Sequence, residues 1–119
     1  MVCRKGSRGY EKRVIRLPEI RRYAERLAKE FRPRKIILFG SHARGQAREY
    51  SDVDLLVVLP FRVRPAQKSA DIQMRLRPTF PLDLLVRTPS QVRRRLAQGD
   101  SFLREVMENG QVLHEAPHP

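Results

Sequence analysis

The sequence predicts an α/β domain, more narrowly an α+β two-layer fold in which helices flank a short mixed β-sheet of three or four strands. Two observations carry this. Segments with helical apolar spacing alternate with short runs rich in Val, Ile and Leu, which excludes a helical bundle or an all-β sandwich. The connections between strands also differ in length. One is too short for a parallel crossover and the next is long enough for one, so the sheet is expected to mix both orientations.

From Pro18 to Phe31, Ile20, Tyr23, Ala24, Leu27 and Phe31 recur at helical spacing, with Arg21, Arg22, Arg26 and Lys29 on the opposite face. Pro18 suits a first turn, and Pro33 stops the helix by restricting Arg32 before it. Lys35 to Phe39 then reads as a buried strand running into a tight turn at Gly40. Ser41 suits the N-cap of a short helix through about Arg48. Asp52 to Leu59 is the second strand, ended by Pro60.

Pro65 to Leu76 carries a weaker helical pattern around Ala66, Ala70, Ile72 and Met74, and Pro81 to Val86 is the third strand. Thr88-Pro89 opens a helix as cap and first residue, with Val92 and Leu96 facing inward. Asp100 caps a further helix bearing Phe102, Leu103, Val106 and Met107. Asn109-Gly110 is expected to close it with a left-handed glycine, and Gln111 to His114 to add a small edge strand.

The chain of 119 residues is sized for one core, expected over residues 17–115, with flexible ends at 1–16 and 116–119. Its net charge of +12 attracts polyanions in general. Part of that excess lies in the first 16 residues, where Arg4, Lys5, Arg8, Lys12, Arg13 and Arg16 face only Glu11. No aromatic interleaving accompanies them, so nucleic acid is not the expected partner. Cys3 is the only cysteine, which excludes an internal disulfide and fits a reducing cytoplasm. No secretory leader is visible. The longest apolar stretch, Val53 to Leu59, is broken by Asp54 and too short to span a bilayer, so no membrane association is expected.

Asp52 and Asp54 lie two apart on a strand, where alternate side chains share a face. Two like charges there demand a counter-ion, and hard oxygen donors favour magnesium or manganese over zinc. Gly40-Ser41 offers the other half of a phosphate site: glycine permits close backbone approach, and a helix start would present free amides with a favourable dipole. Arg44 could add a bidentate cation. Only ten residues separate Ser41 from Asp52, so the first two strands are expected to be antiparallel, which brings turn and carboxylates to one end. The connection from Pro60 to Phe80 accommodates a crossover helix, so Asp83 near the start of the third strand can join them.

Plainer structural roles exist for each piece. Gly40-Ser41 alone could be an ordinary turn, Asp83 could sit in solvent at an edge, and Arg44 could form a surface ion pair. Asp54, between Val53 and Leu55, is costly in a buried strand unless paired or metal-bound. His42, His114 and His118 show no metal spacing and are expected to be solvated. The triplet Arg93 to Arg95 reads as the wet face of a helix.

The stretch ILFGSHARGQAREYSDVDLLVVL, followed by PLDLLV, resembles the minimal nucleotidyltransferases of the DNA polymerase beta superfamily over roughly Ile36 to Thr88. The resemblance implies a nucleotidyltransferase fold with Gly40 and Ser41 on the β and γ phosphates. It further implies Asp52 and Asp54 as ligands of two magnesium ions, and Asp83 completing the second site and orienting or deprotonating the attacking hydroxyl. The reaction implied is transfer of a nucleoside monophosphate, AMP from ATP above other nucleoside triphosphates. Free-standing minimal members resemble the antitoxins of two-gene systems whose partner is a HEPN-domain toxin, so a protein acceptor of that kind is the expected partner. Oligomer formation is left open. The alternative is a non-catalytic nucleotide-binding antitoxin that acts by complex formation, with a nucleic-acid-binding protein ranked last.

Overall fold

The computed structural model describes residues 14–49 and 51–117. Helix α1 spans Leu17–Phe31 and strand β1 spans Lys35–Phe39; β2 (Val53–Val58), α2 (Pro65–Arg75) and β3 (Leu82–Arg87) follow. The chain continues through α3 (Pro89–Ala97) and α4 (Ser101–Asn109) to β4 (Gln111–Glu115). The strands form one sheet in the order β3-β2-β1-β4, in which β1 pairs antiparallel with β2 and β4 while β2 and β3 run parallel. Every anticipated strand is present and the sheet is mixed, as the connection lengths require.

Helices pack on both faces. Ile20, Tyr23, Ala24 and Leu27 of α1 and Ile72 of α2 meet Ile36, Leu38, Leu55, Val57, Leu84 and Val86 in one apolar cluster. On the other face Val92 of α3 and Leu103 and Val106 of α4 cover Ile37, Leu56 and Val58. Because β1 and β2 are covered on both sides, they read as continuous apolar runs, with Ile36, Ile37 and Leu38 each at most 1% exposed. Tyr23 brings a hydroxyl into this interior and donates it to the Leu76 carbonyl at 2.7 Å, while its ring meets Phe80 edge-on. The apolar pattern of α2 is narrower in the fold than in the sequence: only Ile72 of that helix is buried, and Met74 is 72% exposed.

The helix boundaries follow their local chemistry. Arg32 ends α1 in a left-handed conformation at φ 50°, with its amide on the Ala28 carbonyl, just ahead of Pro33. Thr88 and Gln91 form a reciprocal capping box on α3, and the Asp100 side chain accepts the Leu103 amide on α4. Gly110 departs from expectation, since its φ of −72° is not left-handed. Glycine is required there by crowding: a Cβ would collide with Ile37 and stand 2.6 Å from the Val106 carbonyl oxygen.

Of the N-terminal segment expected to be a flexible tail, residues 1–13 lie outside the described residues, while Ile15 is buried in the core. Ala116 is tied to the Arg34 carbonyl at 2.9 Å, and residues 118–119 lie outside the described set. No helix among the described residues is long and apolar enough to cross a membrane.

Candidate active site

Strand register brings the site together. Phe39 at the end of β1 is opposite Asp54 on β2, and Asp54 is opposite Asp83 on β3. Asp52 immediately precedes β2 and is exposed, as is Asp83, whereas Asp54 is partly buried. Alternation along β2 sets Asp54 on the same face as Leu56 and Val58, which α3 and α4 cover; the carboxylates therefore lie at the end of that face.

Gly40 follows Phe39 with φ +76°, a conformation that glycine adopts without strain. A Cβ at this position would run into Oδ2 of Asp54 and stand 3.2 Å from its Cγ. The turn is thus pressed against the carboxylate. Beyond it, the short helix expected from Ser41 to about Arg48 is absent. The Gly40 carbonyl accepts the amides of Ala43 and Arg44, the Ser41 carbonyl accepts that of Gln46, and Gly45 at φ +70° ends the turn. One hydrogen-bonded turn closed by a left-handed glycine does not propagate. The dipole of a full helix is accordingly missing from the phosphate end of the expected site.

Burial, then the fields of Asp83 and Asp52, push the Asp54 carboxyl up from its ordinary 3.8 to about 6, opposed by Arg44. Arg44 is exposed and its Nε donates to Gln46 Oε1 at 3.2 Å, yet its charge is felt at Asp54. Among the described residues no three His, Cys, Asp or Glu side chains close into a group that could by themselves hold a metal ion. The three aspartates offer an open, all-oxygen donor set. Its chemistry suits a hard cation that takes its remaining ligands from water and phosphate.

His42, expected in solvent, is instead drawn in. Its Nδ1 lies 3.0 Å from the Asp52 carbonyl oxygen, its Nε2 is buried without a partner, and burial lowers its pKa. The neutral tautomer with the proton on Nδ1 donates to Asp52 and ties the turn to the strand entrance. His114 is half-buried on β4, and His118 lies outside the described residues. A further group was hidden in the sequence behind its helical spacing. Phe102, assigned to the apolar face of α4, is 48% exposed and meets Phe39 edge-on at 5.5 Å. With Gly40, Arg44 and Asn109 these rings line a cavity of about 290 Å³.

Residues 20–115 match the nucleotidyltransferase domain family. The chain is 37% identical over 51 residues, 42% of its own length, to a candidate protein adenylyltransferase of Methanocaldococcus jannaschii, and 83% identical over 23 residues, 19% of its length, to another from the same organism. These matches span 59% and 16% of the respective relatives.

Among solved structures, a nucleotidyltransferase described from Sulfolobus solfataricus aligns with a TM-score of 0.50 at 21% identity, covering 66% of this chain and 71% of that one. A toxin-antitoxin complex with AMP-PNP aligns at 0.52 and 19% identity, and a mutant MntA-HpeT toxin-antitoxin complex at 0.50 and 15%; both cover 81% of this chain and 73% of theirs. The likeness to these structures is one of fold. With the family match running from α1 to the end of β4, the chain belongs to the nucleotidyltransferase domain family.

Proposed function

We propose that the chain transfers a nucleoside monophosphate, AMP from ATP in the first instance, to a hydroxyl of a partner protein. The observation that carries this is the register of Asp54 against Asp83 with Gly40 pressed on Asp54. In this reading Asp52, Asp54 and Asp83 hold two magnesium ions, with manganese as a substitute. Bound there, the metal would neutralise the triphosphate and stabilise charge developing on the leaving pyrophosphate.

Gly40 and Ser41 receive the β and γ phosphates. The flat approach of glycine, rather than a helix dipole, provides the fit. Arg44 swings from Gln46 onto a phosphate oxygen. Asp83, on the outermost strand, orients the acceptor hydroxyl and takes its proton. The names of the curated relatives support protein as acceptor, and the toxin-antitoxin complexes of like fold support a toxin partner. We assign that partner to the HEPN class, encoded nearby and met in the cytoplasm.

Incubation with ATP labelled on the α phosphate, magnesium and the neighbouring gene product tests this. Label should appear on the partner and be absent with Asp54→Asn. No transfer from any of the four nucleoside triphosphates would sink the enzymatic reading and leave neutralisation by contact.

A further inference from the structure

At the end of the sheet away from the aspartates, Lys35, Val58 and Arg87 are register neighbours. Two clefts of about 650 Å³ and 570 Å³ open there and share Arg34, Pro89 and Arg93 in their walls. Arg32 lines the first and Arg62 the second. Among the described residues none of these four arginines has an ion-pair partner. The carboxylate in the walls, Glu115, is engaged by Lys35 at 3.5 Å.

The first cleft also contains Val58, Val92 and Met107. Four unpaired guanidinium groups around aliphatic surface match a segment that alternates carboxylates with aliphatic side chains. Nucleic acid fits less well, because sequence-tolerant strand binding relies on aromatic platforms and Phe61 is the lone aromatic in the walls. The start of α3 is not the attraction either, since its capping box already occupies the Thr88 and Gln91 amides.

We propose that this paired cleft docks an acidic, aliphatic-rich segment of a partner protein through Arg32, Arg34, Arg62 and Arg93. It lies one strand length from the aspartates, roughly 15–20 Å, so one partner can touch both ends. Docking at this cleft is a matter of binding alone and does not depend on transfer.

The test is fluorescence anisotropy of the full chain, without nucleotide or divalent cation, against a labelled ten-residue peptide alternating Glu and Leu. Arg34→Glu with Arg93→Glu should weaken binding at least about tenfold, and the milder Arg34→Gln with Arg93→Gln by about threefold or more. The control pair Arg21→Glu with Arg22→Glu, on the exposed face of α1, carries the same charge change and should cost less than about twofold. Equal losses in cleft and control variants would reduce the effect to bulk charge and overturn the proposal. So would no loss with the glutamine pair, or tighter binding of a ten-nucleotide single-stranded RNA that depends on the same arginines.

Discussion

Asp54 and Asp83 face each other across the parallel β2–β3 pair, and each raises the cost of charge at this end of the sheet, with Arg44 opposing it at Asp54. Like charges in register are destabilising unless a counter-ion arrives. The sheet therefore carries a local repulsion that a bound cation would relieve.

Asp54→Asn should remove that repulsion. The folded pKa of about 6 lies above the ordinary 3.8, so the stability linked to Asp54 is fully present below about pH 4 and is lost as pH rises through about 6. Metal-free wild-type protein should lose melting temperature across that window, and the variant should lose much less. At neutral pH the variant should melt higher without divalent cation, gain little when magnesium is added, and lose transfer by at least about a hundredfold. A wild-type magnesium response in the variant would remove Asp54 from the metal site.

Gly40→Ala should harm both fold and site. The new Cβ meets the Asp54 carboxylate in a conformation alanine adopts with strain. A loss of about 1–3 kcal/mol is expected in urea unfolding, together with loss of the magnesium-ATP stabilisation. Unchanged stability would show that the turn relaxes away from Asp54.

Arg32→Gly should stabilise. A left-handed arginine costs about 1–2 kcal/mol, part of which is offset by the greater freedom of glycine in the unfolded chain, leaving about 0.5 kcal/mol gained. A chemical denaturation midpoint that falls would contradict this.

Tyr23 supplies an alkaline test. Burial pushes its pKa up from 10 to about 12, so its stabilising contribution is present below pH 10 and disappears as pH rises through about 12. Tyr23→Phe should cost about 1–2 kcal/mol near neutrality, because the Leu76 carbonyl loses its buried partner. The variant's decline in circular dichroism between pH 10 and 12 should be shallower than that of wild type. Parallel declines would assign alkaline unfolding to other groups.

The strands were legible because β1 and β2 are covered on both faces and write themselves as unbroken apolar runs, and α3 and α4 because Thr88 and Asp100 are strong caps. Asp52 and Asp54 stood out through period-two spacing alone. The pairing of Asp83 with Asp54 was not legible, since a register set across the α2 crossover leaves no local pattern. The helix expected after Ser41 failed for a related reason: a capping residue cannot sustain a helix that a left-handed Gly45 ends after one turn. Gly110 was read for its conformational freedom when the backbone of Val106 and the side chain of Ile37 leave it no room for a Cβ. His42 was misplaced because burial in a turn has no periodicity.

The position of β3 at the margin of the sheet bears on self-association. A bare marginal strand is a template onto which a second copy can add. Here the Ser69 hydroxyl of α2 donates to the Leu84 carbonyl at 2.8 Å, while Asp83 and Arg87 put a charge near each end of the strand. An apolar replacement of Asp83 would remove one of these guards along with the carboxylate. Aggregation of such a variant would then reflect an unguarded strand, and Asp83→Asn, which keeps a polar group there, separates loss of chemistry from loss of solubility.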